Sequence, residues 1–215
     1  MPPHGRTEAL HTFIDDLAAA QIGATFNQYR DSDGDDATLE APRIRRENLY
    51  RYLASRLDCA VLLVAEAAGW RGARYSGLCL YAERQIDETT TPFRRTSRHA
   101  LGWKEPSATV VQAAIAPWSN HVALWNLLPT HPRRYGLPNS NRAPLLSELR
   151  AGATWTHRLI AIVQPRHVAA IGRHAARHLG DDVPAVRHPS HGGALVCASQ
   201  LRTLLSEWFS AESVG

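Results

Sequence analysis

A chain of 215 residues, 44% hydrophobic with six Trp and only 20% charged residues, can bury one substantial core, and this composition excludes a disordered or fibrous protein. No apolar stretch approaches roughly 18 residues, so a membrane-spanning helix is not expected; Cys59, Cys79 and Cys197, far apart and without a CxxC pair, provide neither a disulfide framework nor a complete zinc or cluster site. The net charge of +4 is modest but uneven: ten Arg face Glu148, Asp181 and Asp182 between His131 and Leu205, whereas the first fifty residues hold nine acids and five Arg.

A basic C-terminal half is the footprint either of a polyanion site or of a solvated Arg-rich face. The opening Met1-Pro2-Pro3-His4-Gly5-Arg6 lacks an apolar signal core, which argues for a cytoplasmic protein. Nothing marks a linker, so a single domain over 1–215 is expected, with an N-terminal helical part (1–57) and an α/β core (58–209).

Thr7 is placed to cap a helix running to about Ala20, with Leu10, Phe13, Ile14 and Leu17 as an apolar stripe at helical spacing. Residues 31 to 42 are acidic and turn-rich; their DxDGDD run lacks the downstream Glu of a calcium loop and reads as a surface loop. Pro42 opens a second helix to about Leu57, with Leu49, Tyr52, Leu53 and Leu57 inward and Arg43, Arg45 and Arg46 outward. Ala60 to Val64, apolar without alternation, reads as a strand covered on both faces, as in parallel sheets. It runs into a loop of small residues around Glu66, at the strand end where open α/β sheets bind ligands. On spacing alone Glu66 is either a functional acid or a solvated one.

Arg71 to Arg84, rich in Gly, hydroxyls and Arg, looks like a binding loop; residues 87 to 102 read as a polar, mobile excursion, and Pro106 and Ser107 start a helix through Ile115. His121 to Asn126 reads as a second buried strand ending on an amide, which serves either to read a pyrimidine edge or to stabilise a turn. Pro144 sits in the first turn of a helix through about Val163, and residues 167 to 171 make a third strand. Arg173 to Leu179 form a helix closed by Gly180, Val183 to Val186 a short fourth strand, and a last helix runs through Phe209. Strands alternating with helices predict an α/β fold: three layers, α/β/α, around a four-stranded parallel sheet. His174 and His178 stand one helical turn apart without a third ligand nearby, so no metal and no cofactor are expected.

Glu66, Asn126 and His188 each follow a predicted strand and should meet at one edge of the sheet. The ordered set AEAAG (65 to 69), WNLLPTHP (125 to 132), NRAP (141 to 144) and RHPSHGG (187 to 193) resembles the uracil-DNA glycosylase superfamily, especially bacterial members related to the thermostable family-four enzymes. The likeness covers roughly Leu49 to Leu205. It implies a monomeric, monofunctional DNA glycosylase that flips a pyrimidine out of DNA and hydrolyses its N-glycosidic bond. By the resemblance, His188 stabilises negative charge on the departing base, Glu66 orients water or stabilises the oxocarbenium-like sugar, and Asn126 reads the base edge. Ala67, Gly69, Leu80 and Tyr81 would line the base pocket. Ser190 would grip a backbone phosphate, Arg187 and Arg142 would add DNA contacts, and the loop from His191 through Gly192 to Leu195 would enter the groove with Leu195 as the wedge.

The departures carry equal weight. Family-four members usually hold an iron-sulfur cluster on four cysteines; the three here are unsuitably placed, so no cluster is expected. The motif's usual Gly and Pro are Ala65 and Ala68. Where relatives read like SGIPF and stack an aromatic ring on uracil, this chain has Ser76-Gly77-Leu78-Cys79-Leu80, so Leu80 stands in the ring's place, with Tyr81 beside it as a substitute ring. The expected pocket is altered for something other than plain uracil, such as a hydroxymethylated or glucosylated cytosine of phage DNA. Other readings stay open: an ordinary uracil-repair enzyme, a catalytically weak member that binds lesions or abasic sites, and an unrelated α/β enzyme for a small phosphate, which no Walker or GxGxxG sequence supports.

Overall fold

The structure, a computed structural model, describes residues 3–212, with side chains from 5 to 211. The reading of Met1 and Pro2 as part of a leaderless start lies outside the described residues. Four parallel strands form one sheet in the order β2-β1-β3-β4: β1 (Val61–Ala67), β2 (Val122–Leu128), β3 (His167–Ile171) and β4 (Ala185–Val186). The helices are α1 (Pro3–Ala19), α2 (Ala41–Ala54), α3 (Ala73–Ser76), α4 (Pro106–Ile115), α5 (Leu146–Val163), α6 (Arg173–Ala176) and α7 (Ala194–Glu212). The chain passes from β1 to β2 in one direction and from β2 back to β3 in the other, so right-handed crossovers put α4 and α5 on opposite faces. Accordingly α5 packs on β2 and on α1, α1 on α2, and α4 on α7. This is the predicted three-layer α/β/α architecture. No helix among the described residues is long and apolar enough to cross a membrane.

Val61, Leu62, Leu63 and Val64 are fully buried, because helices cover both faces of the central strand. One continuous core runs from Leu10 in α1, through the sheet, to Leu205 in α7. The predicted stripe of α1 is buried, but the helix begins at Pro3, so Thr7 lies inside it rather than capping it. Both motif-bearing strands are longer than predicted. Pairing continues through Ala65–Asn126 to Ala67–Leu128, which places Glu66 inside the end of β1 instead of in a loop, and carries β2 two residues past Asn126. Conversely, α5 starts two residues after Pro144, α6 is only four residues, and β4 is only two, Pro184 having no N–H to give the ladder.

The largest departure concerns the acidic loop and the outward arginines of α2. Asp36 is buried, and its Oδ1 accepts from Arg45 (2.7 Å) and Arg74 (3.0 Å), whose side chains are 0% and 1% exposed. Asp33 bridges Arg74 and Arg133, both at 2.8 Å. Burial would raise the Asp33 carboxyl, but the charge and hydrogen bonds of Arg74, with help from Asp35 N–H and Arg133, hold it below its ordinary range. Arg45 also donates to the carbonyls of Gln28 and Asp31. The acidic run is therefore an internal buckle joining α2, the 71–76 segment and the segment after β2. Nor is 87–102 loose: Asn48 holds both backbone groups of Arg94, Glu83 accepts from the amides of Thr96 and Ser97, and Phe93 is buried.

Candidate active site

The connections from β1 and β3 leave in opposite directions, so the crevice between these neighbours, beyond their carboxyl ends, is the topological switch point. A cleft of about 770 Å³ opens there, lined by Glu66 from β1, Asn126 from β2 and His188 from the segment after β4. Ala67, Gly69 and Leu80 are in its wall, with Ser190 and His191 at one side. A second hollow of about 680 Å³ shares Glu66, His188, Ser190 and His191 and extends to Arg173 and Arg187.

His188 is held by its own loop. The Ser190 backbone N–H donates to its Nδ1 at 3.1 Å, and the Ser190 hydroxyl lies 2.7 Å from the same atom. A backbone N–H can only donate, so Nδ1 carries the lone pair and the neutral ring has its proton on Nε2. Burial, then the charges of Arg187 and His191, lower the His188 pKa and favour that neutral form. The ring lies close to Gly172, where a Cβ would come within 3.3 Å of His188 Cβ and where φ is +98°. Gly193 is equally required, since a Cβ there would meet the His188 carbonyl oxygen at 2.1 Å. Ser190, expected on a phosphate, thus spends its hydroxyl on orienting His188.

Asn126 is buried to 6% exposure, and its Oδ1 accepts from the Cys79 thiol at 3.2 Å. Burial, with the nearby Glu105 charge adding, pushes the Cys79 thiol well up, so it remains a protonated donor. Cys79 and Leu80 are buried, Leu80 at φ +47° with its carbonyl held by Gln112 Nε2 (3.0 Å). Tyr81 does not replace the missing ring. Its side chain turns away from the cleft, lies edge-on to Phe93 at 5.5 Å and gives its hydroxyl to the Gln85 carbonyl. The physical reason is the left-handed backbone at Leu80, which sends successive side chains in different directions.

The loop after β1 is tied to the NRAP segment by Trp70 N–H to Asn141 Oδ1 (3.0 Å). His131, fully buried, lies 2.9 Å from the Ser140 carbonyl and 3.2 Å from Asn141 Oδ1 through Nε2, and burial pushes it down to about 4. Arg142 is not free for DNA: its guanidinium grips buried Glu148 with two hydrogen bonds (2.6 and 2.7 Å) and donates to the carbonyls of Arg133 and Ala24. Its motif position is an anchor for α5. Glu105 escaped the sequence reading because it precedes α4 like any helix-start residue, yet it lines the cleft. Its one signal is the glycine pair Gly69 and Gly72, where a Cβ would lie 2.9 and 2.2 Å from its carboxyl oxygens.

Around the mouth stand Arg134, Arg173 and Arg187, all exposed. Leu195 (86%) and Tyr135 (104%) are exposed apolar side chains, Tyr135 with Leu137 at a separate hollow that Phe26 and Arg133 also line. Gly192 lies on the loop after β4, but Leu195, expected on that loop, stands in the first turn of α7, because the helix already starts at Ala194; Tyr135 lies on the turn after β2, at the opposite edge of the sheet. A rim of three exposed arginines suits the phosphates of a nucleic-acid strand.

A family model described as the Uracil DNA glycosylase superfamily matches residues 56–208. No curated protein matches the chain. The match covers well over half the length, and the chain belongs to the uracil DNA glycosylase superfamily, whose members are DNA glycosylases.

Proposed function

We propose that this superfamily member is a monofunctional DNA glycosylase that extrudes a pyrimidine nucleotide, hydrolyses its N-glycosidic bond and leaves an abasic site, with a pocket altered for a base bulkier than uracil, such as a modified cytosine of phage DNA. The observation that carries the reading is the convergence of Glu66, Asn126 and His188, from three separate strand ends, on one cleft. As the C1′–N1 bond breaks, its electron pair leaves with the base. The His188 Nε2–H donates to the base oxygen on which that charge gathers, and a neutral donor already oriented by Ser190 needs no reorganisation. The Glu66 carboxylate faces the opposite charge on the sugar, orients water toward C1′ and accepts its proton as the C1′–O bond forms. Asn126 reads the base edge. Leu80 in place of a ring, with Tyr81 turned away, leaves no aromatic stack at that wall and supports the altered-pocket reading. Unstacking costs a few kcal/mol, which contacts by Arg173, Arg187 and the Leu195 wedge offset.

The test is an alkaline-cleavage assay on matched duplexes carrying uracil, hypoxanthine, 5-hydroxymethylcytosine or its glucosylated form, with Glu66→Gln and His188→Ala alongside. Cleavage of a modified pyrimidine, lost in both variants while DNA affinity remains, is expected. Uracil cleaved efficiently with modified cytosine ignored would overturn the altered pocket; binding without any cleavage would leave a lesion-binding protein.

A further inference from the structure

We infer that Glu105 is a second base-reading residue of the cleft, the acceptor that selects a flipped base presenting an amino group over one presenting a carbonyl, so that cytosine-type bases are preferred to uracil-type ones. The inference rests on the glycosylase reading. Glu105 occupies the residue before α4 but makes no capping hydrogen bond; its carboxyl enters the cleft that Asn126 and Leu80 line. Oε2 is buried and has no hydrogen-bond partner among the described residues. The fully buried acids among the described residues are satisfied: Asp36 by Arg45 and Arg74, Glu83 by two amides, Glu148 by Arg142. A carboxyl with an unpartnered oxygen costs free energy, which a ligand in the cleft that donates to this carboxyl would offset.

The position is built. Gly69 and Gly72 leave room for the carboxyl where any side chain would collide with its oxygens. Asn126, which lines the same cleft, supplies the complementary half: with Oδ1 accepting from Cys79, its Nδ2–H group remains to donate toward the base. A donor and an acceptor lining one cleft match the N3 acceptor and N4 amino donor of cytosine, whereas uracil presents N3–H and O4 in the reverse order. Burial pushes the Glu105 carboxyl up to about 7, and an amino donor would favour its ionised form.

The test compares duplexes identical except for 5-hydroxymethylcytosine or 5-hydroxymethyluracil, using wild type and Glu105→Gln, which fills the same space. Wild type is expected to prefer the cytosine base in kcat/KM. Glu105→Gln is expected to lower that preference about tenfold to a hundredfold, through loss on cytosine alone. A wild type that prefers the uracil base, or a variant that slows both bases equally or neither, overturns the role. A second arm measures binding to the 2′-fluoroarabino forms of both oligonucleotides, which resist hydrolysis. If wild type cleaves neither base, and none of the four substrates of the alkaline-cleavage assay, the glycosylase reading fails by itself; in either case an unchanged binding ratio in Glu105→Gln overturns the base-reading role, whereas a collapsed ratio supports it.

Discussion

Glu105 and His131 titrate in opposite senses over the same pH range, and replacing either one should uncover the other. Burial pushes the Glu105 carboxyl from 4.5 up to about 7. The folded chain keeps a proton there that the unfolded chain has released, so stability falls as pH rises from 4.5 and levels off above about 7, a change of about 3 kcal/mol. Burial pushes the His131 imidazole from 6.5 down to about 4, with its hydrogen bonds to Ser140 and Asn141 opposing that shift. The unfolded chain takes up a proton below 6.5 that the folded chain refuses until about 4, so stability falls as pH drops, again by about 3 kcal/mol. His188, also lowered by burial, adds in the His131 direction. In wild type the opposing slopes largely cancel between about pH 5 and pH 6.5. Urea unfolding followed by circular dichroism from about pH 5 to 8 avoids the range where the low carboxyls of Asp33 and Glu148 protonate. Glu105→Gln should lose stability steadily toward pH 5; His131→Gln, which retains a donor for Ser140, should lose stability toward pH 7. A Glu105→Gln profile parallel to wild type would refute the raised carboxyl, and a parallel His131→Gln profile would refute the buried neutral imidazole.

Asp36→Ala strips two buried guanidinium groups of a shared carboxylate and should cost about 3–5 kcal/mol in urea unfolding, while Asp58→Ala, on an exposed partner of Arg6, should leave the midpoint nearly unchanged. Ser190→Ala should lower kcat about tenfold with KM for DNA little altered, because it loosens His188; a rise in KM alone would instead put Ser190 on a phosphate. Leu195→Ala should slow excision from duplex DNA about tenfold and leave single-stranded substrate unaffected, since a wedge matters only where a stack must be opened; equal losses on both would remove the wedge role.

The architecture was legible because it rests on short-range patterns. Unbroken apolar runs at 61–64 and 122–125 announce strands covered on both faces, the stripe of Leu10, Phe13, Ile14 and Leu17 announces a helix face, and their alternation implies a parallel sheet. From strand ends follows the meeting of Glu66, Asn126 and His188, since every strand of a parallel sheet ends on the same side. What the chain's letters alone left undecided depends on partners far apart in sequence. Arg45 and Asp36 each look solvated in their own neighbourhood, and only the approach of Arg74, 38 residues beyond Asp36, turns them into a buried network. Arg142 sits in a motif that suggests a phosphate, yet the Glu148 carboxylate one helical turn into α5 claims it. Tyr81 and Leu80 are neighbours whose side chains part at one left-handed residue. Glu105 joins the site only because two glycines, more than thirty residues earlier, clear the space for its carboxyl. Periodicity determines which face of an element is apolar; which charges are buried, paired or left facing the cleft is decided by long-range packing, where desolvation makes each partner count.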